Sequence, residues 1–418
     1  MNEKIAMKYC DGFAMCEHNG LIIIANTVTG LNFKMTKECF EILDRCISHR
    51  VTFEEFYKWF QDPEDCEYFK KILEVIVKYG IIVPENHKDK MTITLEITNR
   101  CNLRCRHCCM DASPVSEDTD LSTEEWKQII DKFMPLDLEY LTITGGEPLV
   151  RQDIFEIAAY AKETLGIPLQ LMSNATLINE NNADRLLELF DDFSFSLDGA
   201  DEKSCSAVRG QGVFERAMKA INLMKSKGMK HFSLSLTEVK QNKDSVDDFI
   251  KLAEEMGAEP IIRNFDVVGR AKEHLELLPE DVDAAYLPFL PPYPDGKDYF
   301  PPNDMPMCIS CGAMEKKMAI GHDGTLYPCI SMLHPQFRMG NIKDIDDFGR
   351  YIVNKEYMAT DGYQFFCNMH PARSEECSSC PVRLFCDSCV QYTFLMKHHP
   401  KCSEFCEVKR RELIRVWQ

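Results

Sequence analysis

The sequence predicts an α/β protein whose central part is a partial (β/α)6 barrel of the TIM type, with a smaller domain on each side. Between Met91 and about Arg270, six apolar strand-like segments alternate with amphipathic helical segments, and this alternation is typical of a parallel sheet. Half of the 20 cysteines lie between Cys308 and Cys406. We therefore expect a winged-helix-like domain over residues 1–88, the barrel over 89–275, and a linker followed by a cysteine-rich domain over 276–418.

The first 88 residues carry the signals of a small strand and helix domain. The sequence His18-Asn19-Gly20 is typical of a tight hairpin turn. A helix is expected over 36–48, Thr52-x-x-Glu55 is a capping box for a second helix, and Asp62-Pro63 begins a third. Residues 81–84 are expected to form a closing strand. Together these elements favour a winged-helix-like domain.

Charge and composition exclude several classes of function. The chain has a net charge of -19, and residues 50–80 hold seven acidic and five basic side chains. Nucleic-acid binding needs clustered lysine and arginine, so no nucleic-acid partner is expected. The sequence contains no apolar run long enough for a membrane span and no apolar secretory signal, which predicts a cytoplasmic protein without membrane contact. Its 20 cysteines then favour metal ligation over disulfides.

Three cysteines directly follow the first predicted barrel strand, as Cys101-x3-Cys105-x2-Cys108. Thiolates suit iron–sulfur clusters and zinc. A four-iron cluster held by three cysteines keeps one iron open for a small molecule. A structural zinc ion would need a fourth protein ligand, for which Cys109 or His107 is available, so zinc remains the alternative at this point.

Polar and glycine-rich segments follow the next strands of the predicted barrel. In parallel barrels the loops at the carboxyl ends of the strands carry the active site. The glycines would let the backbone approach a ligand closely, a carboxylate can accept from an ammonium or a ribose, and an arginine can bind a carboxylate. Taken singly, each segment also occurs as an ordinary turn. The segments are Gly145-Gly146-Glu147-Pro148, Ser173-Asn174-Ala175-Thr176, Ser196-Leu197-Asp198-Gly199 and Arg209-Gly210.

With these motifs in this order, residues 91 to about 271 resemble a radical S-adenosylmethionine enzyme. The resemblance implies that Cys101, Cys105 and Cys108 hold a [4Fe–4S] cluster whose open iron binds the methionine amine and carboxylate of S-adenosylmethionine. It further implies a 5′-deoxyadenosyl radical that abstracts hydrogen from unactivated carbon. The implied contacts are His107 near the adenine, Gly145, Gly146 and Glu147 at the amine, Asn174, Ser196 and Asp198 at the nucleoside, and Arg209 at the carboxylate. Ser206 replaces an aspartate that often precedes the Arg-Gly pair.

The C-terminal cysteines come after a proline-rich stretch, residues 287–307, which we expect to be an extended linker. Paired Cys-x2-Cys units are also typical of zinc ribbons. In context they resemble the SPASM extension of radical S-adenosylmethionine enzymes, which binds two auxiliary [4Fe–4S] clusters. That resemblance assigns Cys308, Cys311, Cys329 and Cys389 to the first auxiliary cluster, and Cys377, Cys380, Cys386 and Cys406 to the second.

Two points of the SPASM assignment stay open. Cys308 and Cys311 are closer together in sequence than is usual for the first pair, so one of the two cysteines need not be a ligand. A missing fourth ligand would leave an open iron able to bind a substrate thiolate. Cys402 competes with Cys406 as the final ligand, and Cys367 is unassigned.

The strand and helix pattern of the first 88 residues, with Asp11 to Leu31 as its hairpin, resembles the precursor-peptide recognition element of ribosomal peptide maturases. The resemblance implies an enzyme that holds the leader of a precursor peptide as an added strand and makes an oxidative crosslink, with a thioether favoured over a carbon–carbon bond. An electron donor such as flavodoxin or ferredoxin would be a second partner. The alternatives are a side-chain oxidase of the sulfatase-maturing type and a non-catalytic, zinc-stabilised winged-helix scaffold.

Overall fold

The computed structural model describes residues 4–114, 120–278, 307–386, 389–398 and 402–418. The chain divides into two compact units. The first combines Met1–Asp89, Pro291–Lys316 and Gln364–Gln418, and the second combines Lys90–Leu290 and Lys317–Tyr363. Across the described residues, no helix has the length and apolar character that crossing a membrane requires.

The N-terminal part of the first unit has the predicted hairpin and helices. Asn19 and Gly20 both have positive φ, 51° and 78°, as a two-residue turn with a type I′ backbone requires. Thr36, Thr52 and Asp62 cap the three helices, and the Thr52–Glu55 capping box is present. The elements are β1 (Met7–Tyr9), β2 (Phe13–His18), β3 (Leu21–Asn26), β4 (Leu31–Thr36), α1 (Lys37–Ser48), α2 (Phe53–Phe56), α3 (Pro63–Lys78) and β5 (Ile82–Pro84).

The central strand β3 of the antiparallel sheet β2-β3-β4 is buried on both faces. Ile22 and Ile24 pack into an apolar cluster with side chains of α1, α2 and α3. Ile23 and Ala25, on the opposite face, pack with C-terminal residues that include Trp417. A strand covered on both faces needs a continuous apolar run rather than an alternating one. The sequence Leu-Ile-Ile-Ile-Ala of β3 meets that need.

The second unit contains the predicted barrel sheet. Six parallel strands follow one another in chain order across the sheet, with helices between them. The sequence did not predict α7, which ends at Arg209. The elements are β6 (Met91–Glu96), α4 (Thr123–Asp131), β7 (Leu138–Thr144), α5 (Ile154–Leu165), β8 (Leu169–Ser173), α6 (Ala183–Leu189), β9 (Asp192–Ser196), α7 (Glu202–Arg209), α8 (Val213–Ser226), β10 (Phe232–Thr237), α9 (Val246–Met256) and β11 (Glu259–Arg263).

Two short strands that the sequence did not predict extend this sheet beyond β6. β12 (Lys317–Ile320) runs parallel to β6, and β13 (Leu326–Tyr327) pairs with β12 in the antiparallel sense. The remaining helices are α10 (Phe348–Val353), α11 (Asp361–Met369), α12 (Val390–Lys397) and α13 (Cys402–Leu413). The predicted linker lies outside the described residues, apart from Met307.

One face of the barrel sheet is polar. Residues opposite each other in register lie on the same face, and Thr94, Thr142, Gln170 and Asp192 form one such row. Gln170 Nε2 donates to Asp192 at 2.5 Å. The other face carries fully buried apolar side chains such as Leu141. Because the helices of a β/α barrel cover the outer face, the polar row lines the interior.

Candidate active site

The cysteine loop leaves the carboxyl end of β6 and lies in a small apolar cluster with Leu103 and Cys205. Cys101 and Cys105 are each 8% exposed, and Cys108 is partly exposed. Burial raises the pKa of Cys101 to about 12. A thiolate at this position therefore needs compensation from a cation or from hydrogen-bond donors.

Donors lie near two of the three sulfurs. The Leu103 N–H donates to Cys101 Sγ at 3.4 Å, and Asn174 Nδ2 lies 3.9 Å from the same sulfur. Arg209 Nη1 lies 3.8 Å from Cys105 Sγ. Donors placed in this way stabilise cluster-bound thiolates and tune the cluster that they hold. The side chains around the loop therefore fit an iron–sulfur cluster.

Arg270 holds the cysteine loop from the side of β11. Its guanidinium, 4% exposed, donates to the carbonyl oxygens of Cys105 and Ala112 and pairs with Asp111 at 3.1 Å. Its backbone N–H donates to Cys108 O. Gly269 has a φ of +59°, and a Cβ there would lie 2.6 Å from Cys108 O. The sequence did not predict this role for Gly269 and Arg270, because contacts across 165 residues leave no local pattern.

The glycines after β7 bring two segments of backbone together. A Cβ on Gly145 would lie 2.5 Å from Thr98 O, and one on Gly146 would lie 2.5 Å from Arg100 O. Gly146 N donates to Thr98 O, and Glu147 N donates to Arg100 O. The sequence predicts that both glycines allow close approach of a ligand. Their close neighbour here is the start of the cysteine loop, which they fix against β7.

Glu147 is fully buried and joins this loop to the one after β8. Its carboxylate accepts from Ser173 Oγ, from the backbone N–H of Asn174 at 2.8 Å and from that of Leu149 at 3.1 Å. Burial raises the pKa of Glu147 to about 7, although these hydrogen bonds act in the opposite direction. Contact of Glu147 with the amine of S-adenosylmethionine stays a prediction.

Asp198, His107 and Arg209 form a charged network beside the cysteine loop. Asp198 Oδ2 lies 2.8 Å from His107 Nε2 and 2.6 Å from Arg209 Nε, while Oδ1 accepts from Thr237 N. Burial alone would raise the pKa of Asp198, but the charges of Arg209 and His107 outweigh it and lower that pKa well below the ordinary range. These residues are brought together as a network, and their contacts with the cofactor stay predictions.

Ser196 completes the predicted set at the end of β9 and stands opposite Ser235 of β10. It is partly exposed. Ser196 is the last residue of β9, Arg209 ends the helix that follows β9, and the other predicted barrel residues lie in loops after strands, so the sheet topology places the set at one edge of the barrel.

The predicted auxiliary ligands belong to both units. Cys329 lies in the second unit, and the other seven lie in the first. Cys308 is 2% exposed and packs with Cys16 in the apolar cluster around Ile23, with Cys380 at its margin. Within the described ranges, no three His, Cys, Asp or Glu side chains are grouped to hold one metal ion. A four-iron cluster does not need such a group, because its cysteine ligands bind different irons and lie farther apart.

The profile of the radical SAM superfamily matches residues 95–255, and that of SPASM, an iron–sulfur cluster-binding domain, matches 311–381. The mycofactocin maturase MftC of Mycolicibacterium smegmatis is 31% identical over 264 residues, which are 60% of this chain and 67% of the relative. The chain belongs to the radical SAM superfamily. As a radical SAM enzyme with a SPASM domain, it holds [4Fe–4S] clusters and uses S-adenosylmethionine.

Two further proteins are similar to this chain, one in sequence and one in fold. The AdoMet-dependent heme synthase of Nitratidesulfovibrio vulgaris is 35% identical over 168 residues, 40% of this chain and 45% of that protein. The crystal structure of Streptococcus suis SuiB bound to precursor peptide SuiA covers 94% of this chain and 97% of its own, with a TM-score of 0.52 and 17% identity. At that identity the likeness concerns the fold alone. The predicted radical SAM fold with a SPASM extension is confirmed.

Proposed function

We propose that this radical SAM enzyme matures a ribosomally made precursor peptide, binding its leader through the N-terminal sheet and closing an oxidative crosslink, with a thioether favoured. The observation that carries the proposal is the three-stranded sheet β2-β3-β4, in which β4 is an edge strand, in the part of the chain that precedes the radical SAM barrel. Mycofactocin maturase and the SuiB complex with SuiA support a peptide substrate by analogy. Reductive cleavage of S-adenosylmethionine at the cluster would supply the hydrogen-abstracting radical.

The hairpin register indicates which backbone groups of β4 point away from the sheet. In a two-residue hairpin the residues that flank the turn exchange both backbone hydrogen bonds, so Leu21 of β3 bonds to His18 of β2. The direction then alternates along β3, and Ile23 also bonds towards β2. Lys34 stands opposite Ile23 on the other side. Its N–H and C=O therefore point outward from the edge of the sheet.

The other edge strand gives an independent check of this register. By the same alternation Met15 of β2 points outward, and its carbonyl accepts a hydrogen bond from Arg383 of the same unit. The C-terminal segment thus covers part of the β2 edge. A peptide that adds a strand has backbone donors and acceptors at the β4 edge, which is the mode that we propose for the leader.

Lys34 offers a sharp test of leader binding. Lys34→Pro removes the outward N–H, and proline is tolerated on edge strands where that group faces solvent. We expect the affinity for a fluorescein-labelled candidate precursor peptide to fall roughly tenfold or more, because one hydrogen bond is lost and strand pairing is interrupted. The control is Lys34→Ala, which removes the same side-chain bond to Val416 O but keeps the backbone N–H. Equal affinities for the two variants would contradict strand addition at this edge.

Deletion of residues 1–88 would not test leader binding alone. The face of β3 that carries Ile23 and Ala25 packs against Trp417 and other C-terminal side chains. Removing residues 1–88 would expose this C-terminal apolar surface and would disturb the cysteine-rich segment along with leader binding. The point substitution in β4 avoids that ambiguity.

The reaction itself is tested by mass spectrometry of the precursor peptide after incubation with reconstituted enzyme, S-adenosylmethionine and a reductant such as reduced flavodoxin. The expected product is lighter by two hydrogens per crosslink and resists fragmentation between the joined residues. Oxidation of a single side chain, as in the sulfatase-maturing alternative, would leave fragmentation intact. Failure to modify any peptide while a porphyrin substrate is consumed would favour the chemistry of the heme synthase relatives.

A further inference from the structure

A buried carboxylate and a histidine meet at the same edge of the barrel as the cysteine loop. Glu96 is the last residue of β6 and is 5% exposed. His322 follows β12, the strand that runs parallel to β6 with Ile320 opposite Leu95. His322 Nδ1 and its backbone N each lie 3.4 Å from Glu96 Oε2. The parallel pairing places both residues at the carboxyl edge of the sheet.

Glu96 points to the polar interior of the barrel. Met91, Ile93 and Leu95 alternate with it along β6 and form the apolar face of the strand. Glu96 therefore shares a face with Thr94, and Thr144 stands opposite it on β7. Because the site is buried, a charged carboxylate here costs free energy unless it is paired with an opposite charge. His322 is that partner.

The side chains of His322 and Glu96 differ in solvent exposure. The side chain of His322 is 22% exposed, whereas that of Glu96 is 6% exposed. A reachable imidazole backed by a buried carboxylate is the arrangement in which histidine acts as a general base and the carboxylate orients it. Leu121 N donates to His322 O at 2.9 Å, which fixes the histidine backbone as well.

We infer that His322 is the catalytic base that accepts the substrate proton released during crosslinking, and that Glu96 is its positioning residue. This inference rests on the proposed function. For a thioether, a C–H and an S–H bond break and a C–S bond forms. The hydrogen atom would go to the 5′-deoxyadenosyl radical, the remaining electron would go to an oxidised auxiliary [4Fe–4S] cluster, and the thiol proton would go to His322. A carbon–carbon crosslink also leaves one proton to be removed.

The charges around His322 set the pH range of this role. The charged groups that face His322 are Glu96 of β6, Asp120 of the segment before α4, and its own neighbour Asp323. Tyr327 of β13 faces Glu96. Burial lowers the pKa of His322, but the hydrogen bond and charge of Glu96 outweigh it and raise that pKa above the ordinary value. A base must be neutral to accept a proton. Crosslinking is therefore expected to fall as the pH drops through this raised pKa, and Glu96→Gln should move the fall to lower pH.

The test compares His322→Gln and Glu96→Gln with wild type in single-turnover reactions that quantify both 5′-deoxyadenosine and crosslinked peptide. The control is His231→Gln, an exposed histidine before β10, at the opposite end of the barrel. In His322→Gln we expect iron content and 5′-deoxyadenosine formation to persist while crosslinked product falls by roughly 10²-fold or more. The ratio of 5′-deoxyadenosine to product then rises, whereas His231→Gln keeps the wild-type ratio.

A second measurement of the His322–Glu96 pair does not depend on enzyme activity. NMR titration of the metal-free protein should give His322 a pKa above that of an ordinary histidine, and Glu96→Gln should lower it. A wild-type product ratio in His322→Gln, or loss of iron and 5′-deoxyadenosine together, would overturn the catalytic role. An unchanged His322 titration in Glu96→Gln would overturn the positioning role. Failure of the proposed function is recognised separately, because wild type would then cleave S-adenosylmethionine without making any crosslink.

Discussion

Arg209 binds Asp198 through a buried ion pair, with Nε 2.6 Å from Oδ2 and side chains that are 9% and 1% exposed. The same guanidinium lies 3.8 Å from Cys105 Sγ. The pair therefore links the end of α7, the loop after β9 and the cysteine loop. Arg209 would carry one buried positive charge between two acceptors, the carboxylate of Asp198 and the thiolate that binds iron.

Asp198→Asn should destabilise the metal-free protein by roughly 3 kcal/mol, because it leaves the charge of Arg209 buried without its partner. Chemical denaturation of the metal-free protein, followed by far-UV circular dichroism, measures the change. Glu188→Gln is the control, since it removes an exposed carboxylate from the ion pair with Arg185 and should change stability by no more than about 0.5 kcal/mol. Equal stabilities of the two variants would show that the buried pair contributes little.

Glu147→Gln should change how stability depends on pH. Burial raises the pKa of Glu147 to about 7 from an ordinary 4.5, so the folded protein binds this proton more tightly than the unfolded chain. The stability from this group is complete below pH 4.5 and is lost as the pH rises to about 7. A glutamine has no proton to lose, and the variant should lack this fall of roughly 3 kcal/mol.

The measurement is the free energy of unfolding of metal-free wild type and variant at several values between pH 4.5 and pH 7.5. The difference between the two proteins carries the signal, because the other titrating groups are common to both. Curves that run parallel across the whole range would contradict a buried Glu147 with a raised pKa. Glu188→Gln again serves as the exposed control.

Arg270→Lys should loosen the cysteine loop without changing net charge. Lysine lacks the planar group that donates to Cys105 O and Ala112 O at once. We expect iron per chain after reconstitution to fall from about twelve towards about eight, because only the radical cluster depends on this loop. Arg185→Lys, on the exposed surface of α6, should retain all of its iron. Full iron in both variants would show that the loop holds its shape without Arg270.

The sequence predicted the barrel well because its signals are local. Each parallel strand is a short apolar run, and capping residues such as Ser122 with Glu125 mark where a helix begins. α7 could have been found in the same way, since Asp201 and Ser204 form a capping box. The cysteine spacing and the polar loops were likewise readable, because each follows directly after a strand.

Other features depend on contacts between distant residues, for which the sequence has no local pattern. β12 has four residues and becomes a strand by pairing with β6, more than 200 positions earlier. The Glu96–His322 contact spans 226 residues and arises from that pairing. The apolar run of β3 is a local feature, but nothing in that run identifies Trp417 as a neighbour of its second face.

Replacing Cys101, Cys105 and Cys108 together by alanine should remove one cluster and leave two. Iron per chain, measured with sulfide on anaerobically reconstituted protein, is expected to fall from about twelve to about eight, because each [4Fe–4S] cluster carries four irons. Cys205→Ala is the matched control. Cys205 is a fully buried cysteine of the same apolar cluster as the loop but is outside the predicted ligand set, so its loss should leave about twelve irons.

A wild-type protein with about four irons and bound zinc would mean that the C-terminal cysteines form structural zinc sites. The electron released in crosslinking would then lack an acceptor in this chain, and the proposed reaction would fail with it.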